Sequence, residues 1–227
     1  VLELIYGWVK QRNTYRLNDS VSSLFLGVLS QAQRFVTLGV GGVIYLLITD
    51  HFSTPLMDPR HWSTWVLAMV FYDFCYYWLH RMGHERTILW AAHVAHHQSE
   101  DYNLTTALRQ TSTGFLFGWV FFVPMYMLGI HAEVVITVGS INLIYQFWVH
   151  TDLINRLPFG LEYLMNSPSA HRMHHRPPGN CNYAGVFIIW DRMFGTYVPE
   201  KVRQDYYGLA QQPNTFDPVK LNLQHYQ

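Results

Sequence analysis

The chain has 227 residues; 50% are hydrophobic, 16% aromatic and 13% charged, with 15 basic and 15 acidic side chains. A charged share about half that of an ordinary soluble domain fits a molecule with much of its surface in lipid, while a mean hydropathy of +0.02 requires a polar half beside the apolar one. Zero net charge excludes an electrostatic footprint for nucleic acid. Two cysteines, Cys75 and Cys181, exclude a disulfide framework and suit a cytosol-facing site.

The chain starts at Val1 with no signal-peptide pattern after it, which predicts a piece of a longer protein with segments upstream. Residues 1–20 are mixed, with Lys10, Arg12 and Arg16 ahead of Asn18, Asp19 and Ser20. Asp19 or Ser20 is expected to cap a helix entering the apolar stretch beyond. Residues 35–48 are uncharged and contain Gly39, Gly41 and Gly42. They are short for a span, but joined to 21–29 they are expected to cross or re-enter a bilayer. Residues 50–62, with two prolines and two histidines, read as a loop. A second apolar stretch, 65–79, is broken only by Asp73 and runs into His80.

The longest apolar region is 114–149, with Gly129-Ile130-His131-Ala132-Glu133 as its polar break. Each half is roughly 16 or 17 residues, about 25 Å as a helix, which matches a thin bilayer. A helical hairpin is therefore predicted, against the rival of a soluble protein with a buried helix pair. Two crossings return the chain to the side it left, so histidines before and after the hairpin share one face of the membrane. Arg81, Arg86, Arg109, Arg172, Arg176, Arg192, Lys201 and Arg203 flank those histidines, and the positive-inside tendency places them in the cytosol. The tail, 201–227, with Pro213 and Pro218, reads as irregular polar chain.

Three histidine clusters carry the chemistry: His80-Arg81-Met82-Gly83-His84, His93-Val94-Ala95-His96-His97 and His171-Arg172-Met173-His174-His175. On a helix, residues three and four apart share a face, about 5–6 Å between Cβ atoms. The first pair therefore chelates one ion, and the other two sets each place three imidazoles on one face. Eight imidazoles exceed the needs of one ion, so two adjacent metals are predicted. Imidazole suits zinc, copper, iron and nickel, whereas structural zinc sites commonly include cysteine. His150, at the end of the apolar hairpin, is read as a ligand or as a donor that orients one. Glu85 is read either as an acceptor that orients an imidazole or as a surface carboxylate. Asp73, an acid inside an apolar stretch, is expected to have a functional partner. His51, His61, His131 and His225 read as surface residues.

The clusters and their surroundings resemble the fatty acid hydroxylase and sterol desaturase superfamily of membrane di-iron enzymes. Asp73-Phe74-Cys75-Tyr76-Tyr77-Trp78-Leu79-His80-Arg81 and Leu89-Trp90-Ala91-Ala92-His93 are similar to that family's first and second boxes with their approaches. Asn182-Tyr183-Ala184-Gly185 and Ile189-Trp190-Asp191-Arg192-Met193-Phe194-Gly195-Thr196 are similar to its closing signature. The likeness runs from about residue 17 to 218. Within the superfamily, Ser99-Glu100-Asp101-Tyr102-Asn103-Leu104-Thr105-Thr106-Ala107-Leu108-Arg109-Gln110, Tyr145-Gln146-Phe147-Trp148-Val149-His150-Thr151 and Asn166-Ser167-Pro168-Ser169 look like the alkylglycerol monooxygenase subfamily. One departure is the stretch Arg176-Pro177-Pro178-Gly179-Asn180-Cys181, shorter than the family's loop after the third box and stiffened by two prolines.

The resemblance implies an all-α, integral-membrane helical bundle with a cytosolic helical cap, one domain over 1–227, resident in the endoplasmic reticulum membrane and multi-pass. It implies two iron ions on His80, His84, His93, His96, His97, His171, His174 and His175, with His150 as a further ligand. It also implies cleavage of the ether bond of alkylglycerols with O2 and tetrahydrobiopterin, giving a fatty aldehyde and a glycerol derivative. Glu85 and Asp73 are the candidate catalytic carboxylates. Tyr102, Asn103 and Arg109 are candidates to meet the pterin or the lipid head group, with helix packing and lipid-phosphate contact as the alternative. Asn182, Tyr183, Trp190 and Asp191 are expected to brace the third box. The rivals are a sterol or fatty-acyl hydroxylase or desaturase fed by NADH through a reductase or cytochrome b5, a non-catalytic metal-binding membrane protein, and a soluble histidine-rich module.

Overall fold

A computed structural model describes residues 2–11, 14–52, 57–111, 113–203 and 206–226, and no β-strand forms among them. A short helix α1 (Leu2–Val9) precedes α2 (Leu17–Phe52), which joins the two apolar stretches of the sequence into one helix of 36 residues, about 54 Å long. Among the described residues α2 is the one helix long and apolar enough to cross a membrane by length and composition. A Cβ on Gly39, Gly41 or Gly42 would meet nothing within 4 Å, so these glycines neither break the helix nor receive a neighbour.

Two expectations for this region need correction. The helix begins at Leu17, so Asp19 lies inside its first turn rather than capping it, buried against Arg109 and Ser99. The helix also continues through Asp50–Phe52, so the connection is shorter than 50–62; residues 53–56 lie outside the described residues, as does Arg12.

Helix α3 (Trp62–Glu85) carries the first histidine pair in its last turns. It packs along α8 (Ala132–Trp148), which ends just before His150. The two helices are parallel: Tyr72 sits against Gly139, Asp73 against Asn142, and both C-terminal ends reach the histidines. Gly139 is required for the approach, since a Cβ there would lie 2.8 Å from the Tyr72 hydroxyl. Ala68 and Cys75 of α3 meet Val134, Val138, Met125 and Ile130 in the apolar core of this layer.

The predicted hairpin turns at Leu128–His131, but its arms are unequal. The return arm is α8; the outgoing arm is 3-10 helix over Gly114–Leu116 and Gly118–Phe122, and becomes α-helical only from Val123, with Pro124 in the first turn. Helices α4 (Thr87–Ala91), α5 (Val94–His97) and α6 (Leu104–Leu108) precede this arm, whose α-helical part is α7 (Val123–Met127). Proline lacks the N–H and crowds the carbonyl one turn back, so the helix restarts there. The ten residues of 118–127 reach only about 18 Å.

The remaining α-helices among the described residues are α9 (Pro168–His174), capped by Ser167, α10 (Ile189–Met193), and α11 (Pro218–Leu223), capped by Asp217. The tail is thus partly helical, contrary to the irregular chain read from its prolines: Pro218 occupies the first turn, where its missing N–H costs nothing. Residues 204, 205 and 227 of that tail lie outside the described residues.

Candidate metal centre

Nine imidazoles converge where α3 and α8 end. Among the described residues they form two groups whose ligand atoms all lie within 4.8 Å of one another: His80, His84, His93, His97 and His174; and His96, His150, His171 and His175. The groups adjoin, with the His97 and His175 rings 4.5 Å apart and the His171 and His174 rings 5.2 Å apart.

The first box serves one group, as its i, i+4 spacing predicted, whereas the second and third are each divided between the two. Adjacent residues on a helix point about 100° apart, so His174 turns to the first group while His171 and His175 turn to the second. In the second box α5 is a single turn and His93 precedes it at φ −120°, outside helical geometry. His93 and His97 therefore join the first group and His96 the second. His150 lies within the second group, its Nε2 3.2 Å from that of His96 and 3.0 Å from that of His171.

Backbone carbonyls orient the rings. His80 Nδ1 donates to Tyr183 O (2.7 Å), His96 Nδ1 to Arg109 O (2.8 Å), His150 Nδ1 to Gln146 O (2.8 Å) and His174 Nδ1 to Cys181 O (2.8 Å). A carbonyl only accepts, so each of these Nδ1 atoms carries the hydrogen and each neutral ring presents a bare Nε2. His96 and His150 therefore oppose two lone pairs at 3.2 Å, with no proton to share between them. Protonating a ring would relieve this, but loss of water lowers His96 to about 4 and holds His93, His97, His150, His171, His174 and His175 well below the ordinary range. A cation between the lone pairs relieves it at neutral pH. Two nitrogens about 2.1 Å from one ion and at right angles lie about 3.0 Å apart, and the Nε2 contacts are 3.0–3.2 Å. His84 Nε2 and both ring nitrogens of His175 are buried without a hydrogen-bond partner, which in a water-free interior calls for another ligand. The donor set fits two metal ions.

The segment 182–191 supports the first group. Asp191 accepts the N–H groups of Tyr183 and Ala184, both at 2.8 Å. Asn182 donates to Ala170 O of α9 at 2.9 Å. Asp73 saturates both oxygens with donors: Asn142 Nδ2 (2.6 Å) and Val186 N (2.8 Å) on one, Phe187 N (2.8 Å) and Trp190 Nε1 (3.0 Å) on the other. It touches no imidazole, so the catalytic role expected for it becomes a positional one. Glu85 likewise meets no imidazole; it pairs with Arg81 one turn back, at 2.8 Å on the surface of α3.

Tyr102 walls the second group: its ring lies 5.4 Å from that of His175 and 5.8 Å from that of His150, and its hydroxyl donates to Val149 O. Asn103 is buried as the cap of α6, its side chain accepting from Thr105 N. Arg109 is buried in an ion pair with Asp19 (3.0 Å) and donates to Ala95 O, while its own carbonyl orients His96. Arg109 also lines a cavity of about 250 Å³ with Arg16, Gln98, Gln212 and Phe216; a second, of about 260 Å³, lies between Glu3, Tyr6, Thr14, Asp152 and Arg203. Neither is lined by a clustered histidine. His51, His61, His131 and His225 are exposed and outside both groups.

Sequence reasoning missed Glu3, whose buried carboxylate accepts from Thr151 Oγ1 and the N–H of Asp152, just past His150, and from Leu104 N. It also missed the pair between Arg172 and Glu200. An arginine inside a histidine box and an acid in the first turn of an apolar helix were the available signals.

A family model for fatty acid hydroxylases matches residues 65–196. The chain is 46% identical to an alkylglycerol monooxygenase of Xenopus tropicalis over 99% of its length and 50% of the relative's, and 42% identical to that of Homo sapiens over 99% and 51%. It is 29% identical to an ornithine lipid hydroxylase of Rhizobium tropici over 58% of the chain and 41% of the relative. The chain thus spans about half the length of the curated alkylglycerol monooxygenases. No solved structure matches it.

Proposed function

The chain belongs to the fatty acid hydroxylase family, and we propose that it forms the metal-binding part of a membrane monooxygenase that cleaves the ether bond of alkylglycerols. The observation that carries the metal-oxygenase reading is the nine-imidazole cage with bare, opposed Nε2 atoms. The choice of substrate rests on the relatives named alkylglycerol monooxygenase.

In this reading His80, His84, His93, His97 and His174 hold one iron ion, and His96, His150, His171 and His175 the other. When bound, the iron pair supplies the oxidising power to put oxygen from O2 into an unactivated C–H bond. The net chemistry places one oxygen atom on the carbon beside the ether oxygen and releases the other as water, with two electrons and two protons from tetrahydrobiopterin. The resulting hemiacetal collapses to a fatty aldehyde and a glycerol derivative. The carbonyls of Tyr183, Gln146, Arg109 and Cys181 keep the imidazoles in one tautomer, and burial keeps them neutral and water out. Tyr102 closes the side of the second group. Arg109, one of the three residues expected to meet pterin or head group, borders the cavity of about 250 Å³.

We assign 1–227 to a single membrane-embedded, multi-pass domain of the endoplasmic reticulum with its histidines toward the cytosol. Exposed Phe35, Leu46 and Leu47 on α2 and Ile144 on α8 supply apolar surface for lipid, and Arg81, Arg86 and Arg176 lie on the histidine side. The test is release of fatty aldehyde from a labelled alkylglycerol by membranes containing the protein, with His97→Ala as the blank. Aldehyde that requires tetrahydrobiopterin is expected. Aldehyde supported instead by NADH and cytochrome b5, or none from iron-loaded protein, overturns the assignment.

A further inference from the structure

We infer that Asp73 is the strut that fixes the two metal ions relative to each other, a positioning residue acting on both imidazole groups at once. The inference rests on the two-metal reading above and extends it to the second layer of the cage.

Helices α3 and α8 run parallel, and each delivers ligands from its C-terminal end to a different group: α3 gives His80 and His84 to the first, α8 leads to His150 of the second. His80 is seven residues beyond Asp73 and His150 eight beyond Asn142, so each ligand stands about 10–12 Å along its axis from the strut. The apolar contacts between the helices, such as Ala68 and Cys75 with Val134 and Val138, do not select a single axial alignment. The bond from Asn142 Nδ2 to Asp73 Oδ1, 2.6 Å and fully buried, does. It continues toward the ligand: Gln146 donates its amide to Asn142 Oδ1, and the Gln146 carbonyl receives His150 Nδ1–H.

On the other side Asp73 takes the N–H groups of Val186 and Phe187 and the Trp190 indole N–H. These bonds fix the segment whose Tyr183 carbonyl orients His80. Asn166 ties the same segment to α8: it donates to Ala184 O and takes the Tyr145 hydroxyl on its own carbonyl. Gly185 leaves the room this needs, because a Cβ there would lie 2.8 Å from Asp73 Oδ1 and 3.1 Å from Asn142 Oδ1. One carboxylate thereby connects the orienting carbonyl of the first group to the helix end that carries the second.

The experiment measures metal bound per folded chain in purified, detergent-solubilised protein, together with kcat and the KM for alkylglycerol. Asp73→Asn puts an amide N–H where an acceptor for backbone N–H is needed; both metal occupancies are expected to fall together, with kcat reduced tenfold or more and KM nearly unchanged. Asn142→Ala cuts only the α8 arm and is expected to empty the His96, His150, His171 and His175 group first, leaving about one metal per chain. Gly185→Ala, which wedges the strut without touching its charge, is expected to follow Asp73→Asn. A purely structural role lowers the yield of folded protein without changing metal per folded chain or splitting kcat from KM, and that outcome overturns the inference. So does Asn142→Ala with both metals retained. Wild-type protein binding fewer than two metals would instead sink the two-metal reading itself.

Discussion

Replacing Glu200 by Gln probes how the third histidine box is held. Arg172 lies between the candidate ligands His171 and His174 yet points away from both groups. It is wholly buried and forks onto Glu200 with Nε–Oε1 at 3.0 Å and NH2–Oε2 at 2.7 Å, and its NH1 donates to Thr151 O and Ile154 O. Glu200 is 9% exposed, so solvent does little to screen the pair. Removing one member of such a pair leaves an uncompensated buried charge and costs about 3–5 kcal/mol, whereas removing both and filling the space is far less harmful. Glu200→Gln should therefore lose about 3–5 kcal/mol, and Arg172→Met combined with Glu200→Gln should lose less than the two single changes summed. Thr151 and Ile154 follow His150, so the single variant should also weaken metal binding by the second group. The assay is denaturant unfolding followed by tryptophan fluorescence, with metal content measured in parallel. A loss below about 1 kcal/mol for each single variant, or strict additivity in the double, would refute the buried-pair argument.

The metal-free protein should lose stability on mild acidification. An unfolded imidazole binds its proton near 6.5 while His96 in the fold does so only near 4, so the unfolded state holds more protons across that window. Stability is then full above about pH 7 and falls as pH drops through 6.5; the His96 share is fully lost near 4 and the His80 share near 3. His96 alone accounts for roughly 3 kcal/mol, and a flat unfolding midpoint between pH 7 and 5 would contradict the buried-neutral assignment. Gly179 sits at φ +67°, and a Cβ there would lie 2.8 Å from His174 O. Gly179→Ala should cost about 1–2 kcal/mol for the left-handed backbone and lower metal occupancy of the first group; unchanged occupancy by elemental analysis would count against that loop's role.

The all-helical class and the candidate ligands could be read from the sequence because each depends on local spacing. Histidines four apart at the end of an apolar helix need no tertiary knowledge to be seen as a chelating pair. The allocation of ligands between groups was not legible in the same way. It depends on α5 being one turn and on which side of α9 faces which group, and tertiary packing sets both. The outgoing arm of 114–149 misled for a related reason: hydropathy counts Pro124 as one mild residue, whereas its missing N–H sets where the α-helix can begin. Asp19 looked like a cap because acids favour helix starts; its partner Arg109, ninety residues on, gave it a different use.

Carboxylates are scarce in the interior, and those that are there meet backbone N–H groups and arginine rather than imidazole. Asp73 and Asp191 each take two backbone N–H groups of the 182–191 segment, Glu3 takes two, and Asp19 takes Arg109. Irregular backbone packed away from water needs such acceptors, since an unmet N–H costs about 1–3 kcal/mol. The consequence reaches the ligands. Rings oriented by carbonyls stay neutral and carry no proton-accepting carboxylate behind them, so among the described residues the cage offers nitrogen lone pairs and no anion. Its affinity for a dication therefore comes from the number and fixed direction of the donors, not from charge. On that account, mutations that let a ring turn, such as those at Asp191 or Gly179, should damage metal binding as much as removing a ligand does.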